Sequence, residues 1–160
     1  MTNITTRAAR AADVAEIVQM IAQLSEHHGD TAKINVEDLV FLCFGPAPWV
    51  SLIVAEHGGQ LVGYAALQRK VQLQFARRVM DVQHLFVMPQ ARGRGVGRAL
   101  MKAAFDTAWV QHCKGVTLGV MAQNTQAQGF YKSIGFVERE TSGAIQMVLA
   151  LDLRVLRAPS

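Results

Sequence analysis

The chain has 160 residues, 51% of them hydrophobic, enough for one domain with a sizeable core and too few for two ordinary ones. Its formal net charge of +4 comes from scattered basic residues and does not indicate nucleic acid, and its two cysteines, Cys43 and Cys113, stand in no disulfide framework, CxxC or Cys/His ligand spacing. No stretch approaches the roughly 18 uninterrupted apolar residues of a membrane span, and "MTNITTRAARAADVAEI" lacks the basic-then-apolar order of a signal peptide, so a cytoplasmic protein without a membrane partner is expected.

In chain order, "ITTRAA" is short and β-branched and predicts an edge strand. "DVAEIVQMIAQLSEHHG" places Val14, Ile17, Val18, Ile21 and Leu24 at helical spacing, with Asp13 as a cap and Gly29 as a stop. Adjacent helical residues point about 100° apart, so His27 and His28 do not predict a metal site. A second short helix fits "NVEDLVFLCFG", in which Asn35 leads Asp38 by one turn and Gly45 closes. From residue 50 the period changes. "WVSLIVAE", "QLVGYAALQR" and "RRVMDVQHLFV" read as an antiparallel meander, with a glycine turn at "HGGQ". "GRALMKAAFDTAWVQHC" then reads as a helix with Leu100, Ala103, Ala104, Thr107 and Ala108 inward, "GVTLGVM" as a strand, "TQAQGFYKSIG" as a helix and "AIQMVLAL" as a last strand. The expected order is β-α-α-β-β-β-α-β-α-β, an α/β (α+β) fold with helices flanking one mixed sheet, in a single domain over residues 3–155.

"ARGRGVGRAL", residues 91–100, stands at the strand-to-helix junction in the middle of this order. The first-turn amides of a helix have no carbonyl partners within it, and with the macrodipole they make a positive concavity. Gly93, Gly95 and Gly97 let a ligand approach the backbone, and Arg92, Arg94 and Arg98 add charge; a diphosphate fits that description. No GxxxxGK is present, and the alternate glycines do not follow GxGxxG.

Arg-x-x-Gly-x-Gly, at Arg92, Gly95 and Gly97 after the strand "HLFVMP", resembles the coenzyme A signature of the GCN5-related N-acetyltransferase (GNAT) family. "NTQAQGFYKSIGF", residues 124–136, resembles the second motif of that family, and the element order is similar over nearly the whole chain. The acidic helix pair followed by "GPAP" is similar to the diamine and thialysine acetyltransferase subgroup. The resemblance implies direct transfer of acetyl from acetyl-CoA to a primary amine, with a small amine such as a polyamine or amino-acid derivative favoured, no metal, and a homodimer. The coenzyme would lie against backbone amides around Leu85, Phe86 and Val87, against Arg92, Gly93, Arg94, Gly95, Val96, Gly97 and Arg98, and against Asn124, Ala127 and Tyr131. The apolar final segment "AIQMVLALDLRVL", as a lone sheet edge, would need the partner to cover it.

Acetyl transfer from a thioester to an amine requires a neutral amine, an oxyanion donor and a proton for the leaving thiolate. Tyr131 is the expected acid, because an ordinary phenol with pKa about 10 is protonated at neutral pH; Asn124 doubles as a helix cap. Where the diamine enzymes carry a glutamate on the fourth strand, this chain has Gln83, which accepts no proton. Strand alternation puts Asp81, Gln83, Leu85 and Val87 on one face and Val82, His84 and Phe86 on the other. Asp81 acting through a water is one expected base, unless it pairs with Arg77 or Arg78; His84, presented by a bulge, is the other. Two further readings compete: an acetyl-CoA-binding sensor with little catalysis, motivated by Gln83, and a nucleic-acid binder, for which the interleaved aromatics are lacking.

Overall fold

The computed structural model describes residues 3–141 and 144–149. Its strands are β1 (Ile4–Ala8), β2 (Ser51–His57), β3 (Gln60–Gln72), β4 (Arg77–Val87), β5 (Gly115–Val120), β6 (Val137–Thr141) and β7 (Ala144–Leu149); its helices are α1 (Val14–His27), α2 (Val36–Phe44), α3 (Val96–Val110) and α4 (Thr125–Ser133). The sheet order is β1-β2-β3-β4-β5-β7-β6. β4 and β5 are parallel, whereas β1–β2, β2–β3, β5–β7 and β6–β7 are antiparallel. Two compact units share the described residues: those up to Leu67 with His84–Ala104, and Gln68–Gln83 with those from Phe105 onward. β3, β4 and α3 each begin in one unit and end in the other.

In the first unit, α1 buries Val14, Ile17, Met20, Ile21 and Leu24 against Leu39 of α2 and against Leu52, Val54, Tyr64, Ala66 and Phe86 of the strands. Met20 takes the fully buried place expected of Val18, which is only partly buried. The helix stops as expected, with Gly29 at φ +80° and the Asp30 amide donating to the Ser25 carbonyl at 2.8 Å. Asp13 does not cap α1 with its side chain. Its carboxylate is drawn to Arg7, 2.7 Å from Nη1, and accepts from the Arg10 amide at 2.7 Å. A bulge in β2 at Ala55/Glu56 accompanies a second pair on the same guanidinium, Arg7 Nη2 to Glu56 at 2.6 Å.

At α2 the expected capping box forms: the Asp38 amide donates to Asn35 Oδ1 at 2.8 Å, and the Asn35 amide to Asp38 Oδ2 at 3.1 Å. Gly58 and Gly59, both at positive φ, close the β2–β3 hairpin. Gly63 has a different cause. A Cβ there would lie 2.5 Å from the Phe86 carbonyl oxygen and within 3.3 Å of Leu100 and Val96, so the start of α3 packs directly on β3. Tyr64, the next residue, points to the opposite face, where α1 and α2 lie.

In the second unit, the β4–β5 ladder runs from Val79↔Gly115 to Val82↔Leu118. β7 lies between β5 and β6, so the described part of "AIQMVLALDLRVL" is an inner strand and not the expected edge; residues 150–156 lie outside the described part. The outer position belongs to β6, which the sequence reading missed. "VERET" lacks an apolar alternation because an edge strand with charged side chains has little to bury, and pairing with β7 makes it a strand. Cys43 is a half-buried free thiol and Cys113 a buried one. Among the described residues no helix is long and apolar enough to cross a membrane.

Candidate active site

The glycine loop belongs to the first unit and is fixed at both ends. As β4 ends, the Met88 amide donates to the Val62 carbonyl at 2.8 Å, and a single 3-10 turn at Pro89–Ala91 follows. Arg92 folds back: its Nε donates to the Val87 carbonyl at 3.1 Å, bracing the loop against the strand end. Gly93 at φ +76° and Gly95 at +85° adopt left-handed conformations that favour glycine, and a Cβ at either would meet nothing within 4 Å. Backbone geometry therefore demands these glycines, and the space beside them is open. α3 begins at Val96, and the Ala99 amide donates to the Gly95 carbonyl at 3.0 Å. The amides of Val96 and Gly97 precede it in the first turn, where no helical carbonyl lies a turn back to receive them. Val96 and Phe86 are buried through their side chains, so each offers a ligand only its backbone. Arg94 is exposed beside them, and Leu85 and Val87 are half-buried.

Two residues before Phe86, the half-buried His84 places Nδ1 3.0 Å from the hydroxyl of fully buried Tyr64. His84 and Phe86 both have ring centroids 6.0 Å from that of Tyr64, as strand alternation requires. Burial, aided by nearby His28, holds the imidazole below its ordinary pKa, and burial raises that of the Tyr64 phenol.

The second unit carries the other expected groups. Asp81 pairs with neither Arg77 nor Arg78. Its Oδ1 accepts from Thr117 Oγ1 at 2.6 Å and lies 3.4 Å from Lys70 Nζ. The two guanidiniums instead donate to backbone carbonyls, Arg77 to Lys114 at 3.4 Å and Arg78 to Gln111 at 3.1 Å. Gln83 is exposed. Asn124 caps α4, its Oδ1 accepting from the Ala127 amide at 3.1 Å, so that amide is already engaged. The Tyr131 ring lies 5.2 Å from Phe130 and 5.7 Å from Phe136. Burial pushes its phenol up to about 12, and among the described residues its hydroxyl has no hydrogen-bond partner. No group of three or more His, Cys, Asp or Glu stands together as a metal site among the described residues.

Tyr64, Lys70 and Thr117 are contacts that the sequence reading missed. In "QLVGYAALQR" a tyrosine among apolar strand residues signals only a polar tip needing a partner. Thr117 and Lys70 reach Asp81 from other strands, a proximity that no local pattern encodes.

Residues 15–136 match the sequence profile described as the Acetyltransferase (GNAT) family. The chain belongs to that family. Thialysine N-epsilon-acetyltransferase from Mus musculus is 31% identical over 139 residues, covering 81% of each chain. The protein of that name from Sus scrofa is 29% identical over 145 residues, 84% of this chain and 85% of the other. Among solved structures, yncA, a putative acetyltransferase from Salmonella typhimurium with acetyl-CoA, is similar with TM-score 0.74 and 21% identity over 98% of both chains. The PaiA N-acetyltransferase from Thermoplasma acidophilum with coenzyme A has TM-score 0.71 and 16% identity over 93% of this chain and 99% of that one. The GNAT assignment makes this protein an N-acetyltransferase, and the mixed sheet is the fold of these neighbours.

Proposed function

We propose that this GNAT protein transfers acetyl from acetyl-CoA directly to the nitrogen of a small primary amine, such as a polyamine or an amino-acid derivative, with residues 3–155 acting as one catalytic domain. The glycine loop carries the reading. Left-handed Gly93 and Gly95 leave open space before the first-turn amides of α3, beside the exposed Arg94. Donors and positive charge aimed into open space suit the diphosphate of a coenzyme. The thialysine relatives support a small amine with a primary amino group.

In the proposed reaction the amine lone pair attacks the thioester carbonyl carbon. The oxyanion is held by backbone amides at the end of β4, around Leu85 to Val87; the C–S bond then breaks and the sulfur leaves as thiolate. We assign the proton that the thiolate takes to Tyr131, whose phenol is protonated at neutral pH, although burial also makes it a weaker acid than an ordinary tyrosine. The nitrogen loses its proton to Asp81 through water. A second reading gives that step to His84, favoured by an imidazole that burial keeps neutral. Asn124, with its carbonyl oxygen engaged in the cap, keeps its amide nitrogen for the pantetheine arm. We also read the protein as a cytoplasmic homodimer: its two thiols are free, and large apolar side chains are exposed on α2 and in the β3–β4 turn.

Calorimetry with acetyl-CoA and a panel of amines followed by thiol release test the reading. Gly95→Glu places a side chain and a negative charge at the diphosphate, and affinity is expected to fall at least about tenfold in a variant with an unchanged far-ultraviolet spectrum. Unchanged affinity rejects the loop as the coenzyme site. Stoichiometric binding without turnover of any amine favours the sensor reading.

A further inference from the structure

Two groups of large apolar side chains are exposed among the described residues. Val36, Val40, Phe41 and Trp49 lie on α2 and the loop after it, Phe41 at 74% and Trp49 at 75% exposure. Val71, Leu73 and Phe75 lie in the turn between β3 and β4, Leu73 at 85% and Phe75 at 68%. Single exposed hydrophobics need no explanation, but clusters mark contact surfaces. Both are also held in place. The Trp49 amide donates to the Leu42 carbonyl of α2 at 2.8 Å, and the turn is locked by Ala76 at φ +48° with its amide on the Leu73 carbonyl at 3.1 Å.

Their rims have opposite charge. Glu37 and Asp38 occupy the first turn of α2, and no lysine or arginine occurs between Lys33 and Arg69. The turn is flanked by Arg69, Lys70, Arg77 and Arg78, and no acidic residue occurs between Glu56 and Asp81. Arg77 and Arg78 donate to neutral backbone carbonyls and Lys70 is drawn to Asp81 at 3.4 Å, so the positive rim rests on Arg69, Arg77 and Arg78.

We propose that the β3–β4 turn of one copy docks on the α2 face of a second copy, and reciprocally, in a closed two-fold dimer. The proposal rests on the homodimer reading above and gives it a surface. A two-fold axis makes each unlike contact twice, so one chain that carries both halves closes without leaving either exposed. Turn against turn would oppose cations to cations. An anionic membrane would occupy the turn but leave the acidic aromatic face uncovered. Arg69 or Arg78 against Trp49 or Phe41 adds a cation–π contact to the apolar one.

Sedimentation velocity at micromolar concentration tests it. The wild type is expected to be a dimer. Leu73→Ser/Phe75→Ser and Phe41→Ser/Trp49→Ser are each expected to weaken it about tenfold or more. Mixing the two variants partly restores a dimer, because the mixed pair keeps one intact contact. Glu37→Lys alone and Arg69→Glu alone weaken association, and the two reversals in one chain recover it. If a serine variant fails to bind acetyl-CoA or to fold, the charge-reversal pair decides. A monomeric wild type overturns both the homodimer reading and the docking, and its sedimentation with phosphatidylglycerol vesicles would assign the turn to lipid. A dimer that survives both serine variants, or is lost in only one of them, overturns the docking and leaves the homodimer reading standing.

Discussion

Among the described residues the Tyr131 hydroxyl has no hydrogen-bond partner, and its ring has two aromatic neighbours; these set what its removal does. Because burial raises the phenol to about 12, it remains a donor through any assay range, and an alkaline limb below about pH 10 does not come from it. Tyr131→Phe keeps the ring and deletes the proton; turnover is expected to fall on the order of 10 to 1000 fold with acetyl-CoA affinity unchanged. The base is separated from the acid by pH. A base must be deprotonated, so activity falls as pH drops through its pKa. With His84 held below its ordinary value, a His84-dependent acid limb lies below about pH 6.5 and disappears in His84→Ala. With Asp81 in the role, Asp81→Asn loses activity chiefly at low pH, where the amine most needs help. Parallel pH–rate profiles decide between them, and a profile that neither variant alters means that the acceptor arrives neutral. Tyr131, Asp81 and His84 stand out in the sequence as the proposed acid and the two proposed bases, but their partners do not. Tyr64 beside His84 and Thr117 with Lys70 around Asp81 depend on registers between strands, which one strand's alternation does not fix.

At the scale of elements, the start of α3 is placed by the absence of a side chain on β3. The Cβ of Gly63→Ala would meet the Phe86 carbonyl at 2.5 Å, and backbone cannot give way as a flexible side chain does. The expected cost is on the order of 1–3 kcal/mol of stability, read as a lowered denaturation midpoint. Acetyl-CoA affinity should fall with it, since the same shift moves Val96 and the loop before it. Equal stability and equal affinity would remove Gly63 as the seat of the helix. The capping box of α2, the glycine turn at Gly58 and Gly59 and the stop at Gly29 were readable because each is chemistry within a few neighbouring residues. β6 was not readable: its charged sequence carries no period, and only its partner β7 makes it a strand.

For the molecule as a whole, the ionic cluster of Arg7, Asp13 and Glu56 links stability to pH. The Arg7 hydrogen bonds lower the pKa of Asp13 in the folded state. Its contribution is therefore present above the unfolded value of about 4 and is lost as pH falls through the lower folded value. Asp13→Asn should unfold at lower denaturant than wild type at about pH 7, with the difference shrinking toward about pH 3. Urea titrations at both pH values measure this, and a difference that does not change with pH would mean that Asp13 acts by packing alone. Charge is also segregated along the chain, with the acidic aromatic face of α2 and the basic apolar turn after β3 lying in separate segments. The composition showed only a modest positive excess, because net charge averages over that segregation.

The half-buried Cys43 and the buried Cys113 bear on how the protein meets electrophiles. Burial pushes the Cys43 thiol up to about 11 and raises that of Cys113 despite nearby Arg78 and Arg69. Only the thiolate attacks a disulfide or an alkylating agent, and at about pH 8 about one Cys43 in a thousand is in that form. A disulfide reagent present during turnover therefore records the thiol released from the coenzyme over little background from the protein.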